Sequence, residues 1–158
     1  MFLYNRGVAI QNRSATVQNQ FSGWVYPVSI RADGSTPIST KSSGGVDIKY
    51  PSLSGGFASA TKSGIVIASY DGKYGSTVVI DNTKRVTRLT DNVVIELNKW
   101  LTLYTNMHTR LVQKGDRVRT GQGVGVFKGH LHFELWSDVG VVVDPRKYME
   151  EWKKLLLV

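Results

Sequence analysis

HLHFELW, residues 130–136, alternates without a break: Leu131, Phe133 and Leu135 fall on one side, His130 and His132 on the other. Successive side chains leave a β-strand on opposite faces, so this stretch reads as a strand with one buried face and with both imidazoles leaving the other. Upstream, LVQKGDRVRTGQGVGVF (111–127) alternates around Gly115-Asp116 and Gly121, and WLTLYTNMH (100–108) is strand-like. VTRLTDNVVIEL (86–97) is strand-like too, with Asp91-Asn92 as a turn. SGIVIASY (63–70) and STVVIDN (76–82), bracketed by Asp71-Gly72 and Tyr74-Gly75, read as a hairpin. Val46-Asp47-Ile48 is a short β-prone element, and STKSSGG (39–45) before it reads as a flexible loop.

Only the tail leaves the period of two. Asp144 precedes Pro145, and Tyr148, Met149, Trp152, Leu155 and Leu156 recur at helical spacing, which predicts one amphipathic C-terminal helix. Residues 1–20, rich in Gln, Asn and Ser, read as a loosely held arm before a domain over 21–158. Short strands separated by glycine turns predict an all-β, antiparallel sheet or sandwich.

The chain has 158 residues, the size of one ordinary domain. Hydrophobic residues make up 41% against 20% charged, which excludes disorder of the body. Twenty Lys and Arg against 12 Asp and Glu give a net charge of +8, which favours polyanionic partners without choosing among them. Lys114, Arg117, Arg119 and Lys128 could form a basic patch, or simply a solvated face; no nucleic-acid-binding module is recognisable. Cysteine is absent, so disulfides, thiolate metal sites and a Cys nucleophile are excluded. No apolar run is long enough for a signal peptide or a membrane span. The expectation is a chain carried to its place of work by a larger assembly.

Only three histidines exist, and two of them, His130 and His132, share a strand face. The plain alternative is that both sit on the wetter side of a strand. The chemical reading is a metal ligand beside a general base, since imidazole is the commonest zinc ligand and titrates near neutrality. His108, at the end of another strand, is the remaining candidate.

Four pieces together, GGVDI (44–48), GIVIASYDGKYGSTVVIDN (64–82), LVQKGDRVRTGQGVG (111–125) and HLHFELW (130–136) with a later VDP (143–145), resemble the lysostaphin/LytM-type zinc endopeptidases that cut peptide cross-links in peptidoglycan. The resemblance implies a LytM-like fold. It also implies metal ligands at Asp47 and His132, with Ser43 standing where the family has its first ligand, a His four residues before the Asp. The family's two catalytic histidines match His108 and His130. A neutral hydroxyl is a poor substitute for imidazole, and losing even a partner behind a ligand costs about 10- to 100-fold, so no zinc, or weakly bound zinc, is expected.

Other departures surround the same place. The family's groove-lining loop of about ten residues is reduced to Lys128-Gly129. The family also has Tyr two residues before its catalytic His; before His108 that position is Asn106, with Tyr104 two residues further back. Residues 83–99 look like an inserted hairpin. The resulting expectation is a degenerate domain lacking one zinc ligand, used as a structural or cell-wall-binding part of a phage tail or similar particle. Its partners would be peptidoglycan or another anionic cell-wall polymer, and neighbouring subunits reached through 1–20 and 83–99. The alternative is an active zinc-dependent peptidoglycan endopeptidase whose metal is completed by another residue.

Overall fold

The structure is a computed structural model and describes residues 21, 23–29, 34–51, 54–97, 99–137 and 140–146. The predicted arm 1–20 and the predicted helix beyond residue 146 lie outside the described residues.

The alternating stretches become strands: β1 (Ile38–Ser42), β2 (Gly45–Lys49), β3 (Gly55–Ser59), β4 (Gly64–Gly72), β5 (Gly75–Asp81), β6 (Lys84–Thr87), β7 (Val94–Leu97), β8 (Trp100–Met107), β9 (Thr109–Arg110), β10 (Arg117–Val118), β11 (Gly123–Lys128), β12 (Leu131–Ser137) and β13 (Val142–Val143). The fold is all-β, LytM-like and antiparallel. Its main sheet runs β10-β4-β5-β8-β12-β2-β1, and β13 also pairs with β12. A second sheet runs β9-β11-β3, and β6 with β7 forms a separate hairpin.

One face of β12 drives the packing. Leu131, Phe133 and Leu135 are fully buried, as are Val46 and Ile48 on β2, Tyr104 on β8 and Val78 and Ile80 on β5. The Phe133 ring meets Tyr104 edge-on with centroids 5.3 Å apart. Val124 and Phe127 on β11 close the same core from the second sheet, where Phe127 stacks with Tyr50. The opposite face of β12 stays half-buried and polar, and it holds the site.

Two local features differ from the sequence reading or sharpen it. The segment 39–45 is not a loose loop: β1 pairs with β2 along its length, down to Ser42 opposite Gly45. The Ser/Gly composition described only the two-residue turn, Ser43-Gly44, where Gly44 supplies the positive φ of +74° that tight turns demand. The second feature is at the end of β8. Asn106 has φ +62° at an irregularity in the pairing of β8 with β5; Met107 still pairs with Ser76 of β5, and past it the chain crosses to the second sheet, where the His108 amide donates to the Val126 carbonyl of β11 at 2.7 Å.

Candidate functional site

A groove of about 680 Å³ opens on the polar face of the main sheet. Strand register builds its floor, because His132 lies directly opposite Asp47 on one neighbouring strand and Thr105 on the other. Asp47, His130, His132 and Glu134 line it together, and Tyr70, Lys73 and Tyr74 from the β4–β5 hairpin form one wall.

A chain of polar contacts runs through the floor. His132 Nδ1 is 2.8 Å from Asp47 Oδ1, and its Nε2 is 2.8 Å from Glu134 Oε2. The other Glu134 oxygen accepts from Trp136 Nε1 at 2.7 Å. An ionised carboxylate can only accept, so a ring donating to both must carry both protons. Burial alone would lower the His132 pKa, but the hydrogen bonds to Asp47 and Glu134 and the charges of both outweigh it, and the net shift is upward. A folded-state value above the unfolded one means that the pair of carboxylates stabilises the fold fully below about pH 6.5, and that this contribution fades as pH rises through the elevated folded value. We expect NMR titration of the His132 ring carbons to show a midpoint above that of an ordinary histidine, and Glu134→Gln to bring it down.

His130 lies just before β12, with Nε2 3.7 Å from Asp47 Oδ2 and its side chain 42% exposed. Asn106 reaches it from the end of β8: Nδ2 donates to the His130 carbonyl at 2.9 Å and lies 3.2 Å from Nε2. Thr77 and Thr105 pair their hydroxyls at 2.7 Å on the adjoining floor.

Of the residues singled out in the sequence, the structure brings Asp47, His130 and His132 together and puts Ser43 on the rim, on an exposed turn. It does not bring in His108. That residue is exposed and lines a separate hollow with Asp71, Ser76 and Arg110. Counting in twos along β8 assumes an unbroken strand, and the left-handed residue at 106 breaks it, so that the consecutive residues Thr105 and Asn106 both line the groove. Among the residues not assigned to the site from the sequence are Glu134, Trp136 and Asn106. Glu134 and Trp136 could have been found, since they follow His132 at the strand period. Asn106 had one signal, a Tyr two residues before it.

The model of peptidase family M23 matches residues 41–145, and the chain belongs to that family. Among solved structures, the chain is similar to one in the SpoIIQ–SpoIIIAH pore-forming complex, at 19% identity and TM-score 0.60, covering 80% of this chain and 90% of that one. It is similar to a point mutant of the catalytic domain of the prophage-encoded M23 protein EnpA from Enterococcus faecalis, at 22% identity and TM-score 0.52, covering 73% and 93%. A third likeness is to the catalytic domain of lysostaphin from Staphylococcus simulans, at 21% identity and TM-score 0.50, covering 81% and 89%. At these identities the likeness shows the fold alone. No curated protein matches the sequence significantly.

The family implies zinc, and the donor set here can be tested against it. A catalytic zinc has three protein ligands and an open position. Asp47 and His132, the two residues at positions where the resemblance implies ligands, are hydrogen-bonded to each other at 2.8 Å, and Ser43 lies on an exposed turn at the rim. Among the described residues, no group of three or more His, Asp or Glu side chains is arranged to hold a metal ion.

Proposed function

We propose that this M23-family domain has exchanged catalysis for binding and serves as a structural or cell-wall-binding part of a larger particle, such as a phage tail. One observation carries the reading: the side chain that reaches His130 from the end of β8 is the amide of Asn106, where the groove would need a second imidazole. Tyr104 stands two residues before Asn106, the spacing that the family resemblance gives for its catalytic His, which supports 106 over 108 as the matched position. With Ser43 in place of the first ligand, both the metal set and the base set are short by one.

Two surfaces support a binding role. The net charge of +8 suits an anionic wall polymer. The β6–β7 hairpin carries Val86, Leu89, Val93, Val94 and Leu97 exposed, with Leu89 at 92%, and a two-stranded hairpin in water is marginal by itself. A neighbouring subunit would cover these residues. One similar protein is described in a protein complex.

The test is zinc per chain, measured by plasma emission on protein purified without chelator, alongside hydrolysis of purified peptidoglycan. We expect well under one zinc per chain and no hydrolysis. Ser43→His should raise the zinc content, and hydrolysis should require Asn106→His in addition. Stoichiometric, chelator-resistant zinc with hydrolysis by the unmodified chain would overturn the reading.

A further inference from the structure

The two contacts of Asn106 settle more than its position. A backbone carbonyl only accepts, so the group of Asn106 that faces the His130 carbonyl at 2.9 Å is the amide NH2 and not the amide oxygen. That NH2 has no lone pair to offer, so its 3.2 Å contact with His130 Nε2 requires the ring nitrogen to be the acceptor. The proton of the neutral ring is then on Nδ1.

We propose that Asn106 is a positioning residue that holds His130 in the Nδ1–H tautomer and occupies the lone pair of Nε2. The nitrogen so capped is the one that faces the groove's carboxylate, 3.7 Å from Asp47 Oδ2. While the amide is in place, this nitrogen offers no free lone pair to a substrate water or to a cation beside Asp47. The backbone shows why asparagine suits the place. Position 106 has φ +62°, a region that costs most side chains dearly and that Asn and Asp enter most readily after Gly. The same left-handed residue sits at an irregularity in the pairing of β8 with β5, just before the last paired position, Met107, and its side chain reaches His130.

This inference deepens the reading of the groove as a non-catalytic site and rests on it for its meaning, but its measurement is independent of zinc and of hydrolysis. Long-range 1H–15N spectra of the imidazoles, recorded on metal-free protein at about pH 8.5, where an ordinary histidine is neutral, report which nitrogen carries the proton. The expected result is a His130 ring almost wholly in the Nδ1–H form. Asn106→Asp keeps the shape and tolerates the positive φ but puts an acceptor where the donor was; it should reverse the ring to the Nε2–H form. Asn106→Gly accepts the same φ and removes the donor, so the ring should populate both forms, and this variant serves if the aspartate disturbs the fold. A wild-type ring in the Nε2–H form, or a ring unchanged in a folded Asp or Gly variant, would overturn the inference and leave the proposed function standing. Stoichiometric zinc and hydrolysis beside an Nδ1–H ring in the metal-free protein would do the reverse.

Discussion

Phe133→Ala should cost the domain about 3–5 kcal/mol, the range for removing a large aromatic from a packed core. The ring is fully buried on the central strand β12, meets Tyr104 edge-on, and has Val46 opposite it on β2. The groove lies on the other face of the same strand, so the lost volume cannot be refilled by the polar side chains next to it in sequence. For a chain of this size the loss corresponds to a fall in Tm of roughly 6–20 °C, readable by calorimetry. Phe133→Leu, which keeps most of the volume, should lose well under half as much. Equal losses for the two variants would mean that the ring is not the packing element described.

Gly45→Ala should be damaging despite adding a single carbon, and it should damage the site along with the fold. A Cβ at Gly45 would lie 2.2 Å from the Phe133 carbonyl oxygen and 2.8 Å from Glu134 Cγ. The nearer neighbour is backbone in the middle of the sheet, so β2 itself must shift away from β12. Overpacking of this kind costs typically about 1–3 kcal/mol, occasionally more. Asp47 sits two residues along the same strand, so the shift should lengthen the 2.8 Å contact with His132 and lower the pKa that this contact helps to raise. Gly123→Ala is the control: its new Cβ would meet only Leu111 Cδ1 at 3.7 Å, an ordinary contact, and should change Tm little. If Gly45→Ala melts with the wild type and His132 titrates unchanged, the close approach of β2 to β12 is wrong.

The parts of the fold that could be read in advance carry their signal in their own residues. β12 announces itself because burial on one side forces apolar residues to every second position, and β8 and the β4–β5 hairpin because they are β-prone runs bounded by turn residues. β1 did not, because its residues ISTKS are mostly exposed and carry no apolar alternation; it exists because β2 offers it an edge. The same limit governed the site. Asp47 and His132 lie in regular strands, where side-chain direction follows from counting, and they face each other. His108 and Asn106 lie where the chain changes sheets, and a left-handed residue there resets the count. Nothing in hydropathy marks such a reset; the spacing to Tyr104 was the one clue.

The pairing that creates the groove also fixes when it can come into being. Asp47 and His132 are 85 residues apart in the chain, and β12 reaches its place only when it is flanked by β8 on one side and β2 on the other. Hairpins such as β4–β5 close over short loops within microseconds, whereas all-β topologies dominated by distant pairings complete in about milliseconds to seconds. The half-buried His132 pair therefore belongs to the final, slowest assembly step. An upward-shifted His132 resonance appearing during refolding would time the docking of β2 and β12, and a nascent chain whose synthesis has not yet reached residue 132 has no groove to offer a ligand or a neighbouring subunit.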